Sequence, residues 1–303
     1  MACSNSSGKA FWGYAAGLIA GVTYGMNPLF AKPLLTRGVS VDTMLFFRYL
    51  FAFLLLGGWI ALHRERFRIS RKQFSRLLIL GLLFGCSSLF LFLSYNYIPA
   101  GLATTLVYLY PVLVAILMIS LRVYPTWQVW LSILLTLVGV VLLCRPAAGE
   151  TFRWQGIVLA ASSALSYAMY LVIVNRSTSI RGVSNNVLTF YVLVVGSTLF
   201  LVHHLLMGGA LWNGVKGWQS WLDVTGLAVF PTLLSLVCLA AATRRIGATK
   251  TSVLGVFEPV TAILIGTAVF REPLTTNVVV GVVISLFAIL FMILTSAARK
   301  RRT

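Results

Sequence analysis

The sequence predicts an all-α, polytopic membrane protein with ten transmembrane helices arranged as two inverted five-helix repeats. Three observations predict it. The 303 residues are 59% apolar and 10% charged, with a mean hydropathy of +0.93, a composition far from that of a soluble domain. Apolar runs of about 20 residues, the length that crosses ~30 Å of hydrocarbon as a helix, recur along the whole chain. The second half also repeats the first: VFEPVTAILIG, around Glu258, matches YLYPVLVAILM, around Tyr110, at an offset of 148 residues.

In chain order, the first half offers spans near 11–31, 43–62, 77–96, 100–121 and 127–144, and the second near 155–174, 187–207, 222–243, 248–270 and 275–297. The first span carries Gly13, Gly17, Gly21 and Gly25, and its counterpart carries Gly156, Ala160, Ala164 and Ala168. Small residues four apart form one stripe that lets another helix approach closely in lipid, for static packing or for sliding. The second span holds Arg48, and the fourth and ninth hold Pro111 and Pro259, expected mid-span, where a proline frees a carbonyl one turn earlier and kinks the helix. The offset of 148 also pairs Ile98 with Ile246, Leu106 with Leu254 and Pro125 with Pro273. Near the start of each half an offset of 143 pairs Gly13 with Gly156, Tyr24 with Tyr167, Met26 with Met169 and Arg48 with Tyr191. The expected division is therefore a first repeat over 1–150 and a second over 151–303. Five crossings per half turn the second copy over, the architecture in which transporters place a binding site at mid-membrane between the repeats.

A net charge of +18 would suggest nucleic acid binding in a soluble chain. Here the distribution argues for topology instead. With a cytoplasmic N-terminus, the inner side collects Lys9, the six cations between Arg64 and Arg76, Arg122, Arg176, Arg181, Arg244, Arg245, Lys250 and the four in Arg299–Arg302. The outer side collects Lys32, Arg37, Arg145, Arg153, Lys216 and Arg271. The positive-inside rule then places both termini in the cytoplasm of a multi-pass protein of the cell inner or plasma membrane. The basic stretch HRERFRISRKQFSR (63–76) reads either as a surface helix on anionic lipid or as a solvated loop that fixes topology. The tryptophans fall at span ends or in one outer loop and read as an interfacial belt. The first span, with no cleavage-site pattern ahead of it, reads as retained.

No cofactor is expected, and no metal: Cys86, Cys144 and Cys238 lie singly, and the adjacent His203 and His204 turn to different faces of a helix. The groups that draw attention are charges at bilayer depth, which cost about 2.5 to 3.5 kcal/mol on insertion scales. Glu258 reads as a proton carrier or a counter-charge for a cationic substrate, or alternatively as a structural acid paired to a neighbouring helix. Arg48 is its candidate partner, with three readings: snorkelling to the outer interface, a structural bond, or a grip on a substrate carboxylate or phosphate. Tyr24, Asn27, Tyr108, Tyr110, Tyr167, Tyr170 and Tyr191, with Asn96, complete a polar and aromatic set that reads either as ordinary packing or as the lining of a cavity for a partly aromatic or amphipathic solute.

The YGMN closing the first span, FFRYLFAFLLL, YPVLVAIL, EPVTAILIGTAVFREPLT and GVVISLFAILF resemble the EamA-type branch of the drug/metabolite transporter superfamily. The resemblance implies a ten-helix carrier with inverted repeats that works by alternating access and commonly exports amino acids or other metabolites without ATP. It also implies that Arg48 is the family's span-two arginine, Glu258-Pro259 its span-nine acid and proline, and Glu272 the acid after that span. The first half departs from the pattern in having Tyr124 where an acid is usual.

The expected function is secondary transport of small organic solutes (amino acids, metabolites or drug-like compounds), in the direction of export, with the lipid bilayer and a small-molecule substrate as partners and protons as the candidate coupling ion. Two other classes are weighed against it. An intramembrane enzyme needs clustered groups that one acid and one base do not supply, and a non-transporting interaction or sensory protein would be expected to carry a soluble effector domain.

Overall fold

A computed structural model describes residues 2–65, 67–94, 96–98, 103, 106–143, 153–206, 215–271 and 276–302, and all regular structure among them is helical. Glu272, Cys144, Arg145, Trp212 and the expected division between residues 150 and 151 lie outside the described residues. The first half contains α1 (Ala2–Gly25), α2 (Asn27–Thr36), α3 (Val41–Leu62), α4 (Arg71–Ser94), α5 (Tyr110–Ser120) and α6 (Trp127–Leu143). The second contains α7 (Trp154–Arg176), a 3₁₀ turn (Thr178–Ile180), α8 (Asn185–Leu206), α9 (Gly217–Leu227), a π-helical segment (Ala228–Leu234), α10 (Ser235–Ile246), α11 (Ala248–Leu254), α12 (Phe257–Phe270) and α13 (Thr276–Arg302).

Among the described residues, 6 stretches are long and apolar enough to cross a membrane: Val41–Leu62, Arg71–Ser94, Trp154–Arg176, Asn185–Leu206, Gly217–Ile246 and Ala248–Phe270. Tyr110–Ser120, Trp127–Gly139 and Val279–Met292 are shorter apolar helices. Part of the difference from ten uniform spans has a local cause: helices restart at Pro28, where no kink is expected from the sequence, and at Pro111, where one is, while the expected kink at Pro259 is a restart within the Ala248–Phe270 stretch. The first expected span stops at Gly25 and restarts as α2, with Pro28 in its first turn. The fourth restarts as α5 after turn residues Tyr108 and Leu109, with Pro111 in the first turn, and the ninth restarts as α12 with Pro259 likewise. A proline in the first turn costs nothing, because its missing N–H would be unpaired there anyway. Pro111 and Pro259 therefore open new half-helices and do not bend continuous ones.

The two halves exchange contacts. Gly13 of α1 lies against Ile246, where an added Cβ would come within 2.5 Å of Cγ2, and Gly156 of α7 lies against Ile98, where it would come within 2.8 Å. These are repeat-equivalent pairs taken in opposite directions, the signature of a two-fold relation in which i meets j and j meets i. The first helix of each half thus packs on the third and fourth spans of the other. The remaining glycines of α1 extend the same seam: Gly17 meets Leu254, Gly21 meets Phe257, and Gly25 meets the Glu258 backbone and Thr261. The stripe therefore carries α1 along α11, across the break at Gly255, and onto the start of α12. Helices α3 and α8, and α6 and α13, also pair across the halves. The outer faces of α6 and α13 leave Leu134, Val138, Val141, Phe287, Leu290 and Leu294 exposed, a surface suited to lipid.

Side-chain bonds define the two ends. At the arginine-rich end, Ser70 and Gln73 form a capping box, with Ser70 N donating to Gln73 Oε1 at 2.7 Å and Gln73 N to Ser70 Oγ at 3.3 Å. That starts α4 at Arg71 and leaves 63–70, where described, as turn and irregular chain rather than a surface helix. Phe67 and Ile69 pack onto the core, so the stretch is not simply solvated either. Glu65 accepts from Ser184 at 2.8 Å and from Asn186 at 2.6 Å, and Arg244 donates to the Val183 and Ile180 carbonyls at 2.6 and 3.1 Å. At the opposite end Arg37 pairs with Asp223 at 2.7 Å.

Candidate functional site

Each of the three restarts places a polar residue immediately before its proline: Asn27-Pro28, Tyr110-Pro111 and Glu258-Pro259. These residues reach toward one region. Glu258, in the first turn of α12, lines a cavity with Tyr24, Tyr108, Tyr110, Tyr167, Ser87, Ser88, Ser163, Phe84, Leu91 and Val107. Tyr108 lies within hydrogen-bonding reach of its carboxylate. A carboxylate in a first helical turn also faces the positive end of the helix dipole. A second, smaller cavity, lined by Gly17, Gly21, Tyr24, Tyr167, Ser235, Thr251 and Gly255 among others, touches Glu258 as well. The two enclose about 50 and about 20 Å³, room for a water or two and far below the ~300 Å³ at which ligand pockets begin. The space beside Glu258 is thus too small for a solute in this conformation.

The tyrosines differ in what holds them. Tyr110, 2% exposed, donates to the Ser252 carbonyl at 3.0 Å and sets its ring 4.8 Å from that of Tyr167. Ser252 lies at the end of α11, so a hydroxyl from the first half closes the break in the second. Gly255 is required there, since a Cβ at that position would collide with the Tyr110 hydroxyl. Tyr170 packs against Phe84 and Tyr167 in the core; its hydroxyl has no bonding partner among the described residues, and it lines neither cavity. Tyr191 stands apart: it donates to the Phe67 carbonyl at 3.3 Å and holds the basic stretch at the arginine-rich end. Asn96 is exposed in a turn.

Arg48 does not snorkel. It is 4% exposed, and all three of its nitrogens are engaged: Nε donates to Thr232 Oγ1, Nη1 to Asn27 Oδ1 at 3.0 Å, and Nη2 to the Pro231 carbonyl at 3.2 Å. Its guanidinium carbon lies 5.5 Å from the centre of the Tyr24 ring, within cation–π range. Among the described residues no salt bridge joins Arg48 to Glu258. Thr232 and Pro231 did not stand out in the sequence, yet the π-helical segment explains them. Pro231 has no N–H to give the Leu227 carbonyl four residues earlier, and the Thr232 hydroxyl donates to that carbonyl at 2.7 Å instead. The signal that could have found them is a proline followed by a hydroxyl residue inside an apolar run. Among the described residues no group of three or more His, Cys, Asp or Glu could hold a metal ion.

A helical chain with exchanged repeat contacts and paired breaks at equivalent prolines can be compared with known families. The sequence pattern of the EamA-like transporter family matches twice, over residues 11–145 and 154–294. The chain belongs to that family. Among similar proteins, this EamA-like chain is 29% identical over 181 residues, 60% of its length, to an uncharacterized transporter of Archaeoglobus fulgidus. It is 28% identical over 210 residues, 66% of its length, to another of Synechocystis. The alignments span 62% and 60% of those relatives' own lengths. A solved structure shares the fold at a TM-score of 0.80 and 19% sequence identity, over 96% of this chain and 99% of that one. The match therefore extends the family's two-repeat organisation to a chain whose polar groups gather at the helix breaks.

Proposed function

We propose that this EamA-like protein is a secondary transporter that exports small organic solutes (amino acids, metabolites or drug-like compounds) across the cytoplasmic membrane by alternating access. In this reading ten helices form two inverted repeats, over 1–150 and 151–303, with both termini in the cytoplasm. The observation that carries it is Glu258: an acid without a cationic partner among the described residues, at the restart of a broken helix, on a cavity lined from both halves. Broken helices that meet between repeats are where carriers bind solute, and a cavity too small for a solute is what an occluded stage of alternating access requires. Tyr24, Tyr108, Tyr110 and Tyr167 line the site, Asn27 and Arg48 support it, and Pro111 and Pro259 mark the points about which the half-helices reorient. Protons couple through Glu258. Tyr170 and Tyr191 act in packing.

Proteoliposomes containing only this protein test the reading. Preloaded with a panel of radiolabelled amino acids, nucleosides and amines, they should release at least one solute faster than empty vesicles, and Glu258→Gln should abolish that release and its dependence on a pH gradient while leaving the melting temperature in place. Release no faster than from empty vesicles across the panel would reject transport. An unchanged pH dependence in Glu258→Gln would reject only the coupling role.

A further inference from the structure

We propose that the central site selects an organic cation, a protonated or quaternary amine on an apolar body, with Glu258 as its counter-charge; the inference rests on the transport reading above and narrows it. The cavity region holds two charged side chains, and their bonding separates their roles. Arg48 is spent. Its three nitrogens are held by Thr232, Asn27 and the Pro231 carbonyl, and it lines neither cavity. Three of its five N–H donors are fixed in those bonds and the residue is 4% exposed, so an anion in either cavity does not meet it directly in this conformation. Arg48 is thus a positioning residue that ties α2 and the π-helical segment to α3.

Glu258 is the opposite case. It lines both cavities, Tyr108 offers it a neutral hydroxyl, and among the described residues no cation stands within ion-pair distance. A carboxylate in such surroundings is stabilised by whatever ligand brings a positive charge. Four tyrosine rings stand around it, and their faces attract ammonium groups. Leu91 and Val107 form an apolar wall of the same cavity, suited to the body of an amphipathic amine. At about 50 Å³ the cavity has room for a water or two as it stands, so the head and the body of the cation are both accommodated when the elements around the helix restarts separate.

The test compares three benzyl-ring solutes of different charge: benzyltrimethylammonium, phenylalanine and 3-phenylpropionate. Binding of each is measured to the full-length protein in nanodiscs, and flux of each in proteoliposomes. The cation should bind saturably without competition from the other two. Glu258→Gln should weaken it by at least about thirtyfold, as expected when one partner of a buried charge pair is removed, and Glu258→Asp should retain saturable binding. Equal melting temperatures of the variants exclude misfolding as the cause. Binding or flux of phenylalanine or phenylpropionate in preference to the cation would overturn the selectivity and leave transport standing, as would undiminished cation binding by Glu258→Gln. Absence of flux for these three and for the wider panel would overturn both.

Discussion

Arg48 is a cation taken out of water with only neutral partners, and it persists because each nitrogen replaces a hydration bond with a protein one. Thr232 is the partner with two duties, accepting from Arg48 Nε and donating to the Leu227 carbonyl. Thr232→Val keeps the shape and removes both bonds, so it should destabilise the folded protein by about 1–3 kcal/mol, the cost of leaving a buried donor or acceptor unpaired. Thr232→Ser should restore most of the loss, and denaturant or thermal unfolding in detergent reads the difference. At this scale the sequence was informative where a charge sits in an apolar run, because the cost of burying it makes Glu258 and Arg48 conspicuous. It was uninformative about Thr232, since a threonine in a helix ordinarily bonds its own preceding turn and nothing local says that its oxygen also accepts from a distant arginine. Tyr191 shows the same limit from the other side. It occupies the position equivalent to Arg48 in the repeat, yet it bonds the Phe67 carbonyl near the arginine-rich end. Repeat equivalence preserves backbone position but does not preserve partners.

The prolines at 111 and 259 were legible as interruptions of a helix, but whether each kinks or restarts its helix was not. A helix continues past a proline if the freed carbonyls find donors nearby, and stops if the donors come from elsewhere. At the ninth span the Ser252 carbonyl accepts from Gly255 N at 3.2 Å within the turn and from the Tyr110 hydroxyl at 3.0 Å, 142 residues away in the chain; no local pattern encodes the second bond. The break is therefore supported by a contact between elements as well as by its own turn bonds, and Gly255 is the residue that leaves room for that contact. Gly255→Ala should push the Tyr110 hydroxyl off the Ser252 carbonyl, lowering stability by about 1–3 kcal/mol and reducing flux. Removing the oxygen in Gly255→Ala/Tyr110→Phe should recover part of both losses, a non-additive result expected of residues in contact. Melting temperatures and vesicle flux of the two single variants and the double variant check it, and simple additivity of the two substitutions would show that the close approach does not govern the break.

For the whole molecule, the matched offsets made the repeats legible, whereas the way they interlock was not, because internal similarity says nothing about which copy a helix packs against. The exchange of Gly13–Ile246 for Gly156–Ile98 means that neither half completes its own packing: each lends its first helix to the other's third and fourth spans. The bonds at the arginine-rich end tell the same story, since Glu65 of the first half is held by Ser184 and Asn186 of the second. In lipid, where helices gain no hydrophobic advantage from association, such van der Waals seams and hydrogen bonds supply the cohesion. A half expressed alone would present the glycine stripe of α1, or the small-residue face of α7, to lipid with its seam empty. Residues 1–150 or 151–303 produced separately should therefore lack a cooperative melting transition. The same two pieces produced together should copurify through a tag on either one and melt as a unit. Gly21→Leu in the first piece should reduce copurification, because a Cβ there already comes within 2.8 Å of Phe257 Cβ. Cooperative melting of either piece alone would show instead that each repeat is a self-sufficient packing unit, and that the exchanged seam contributes contact without holding the halves together.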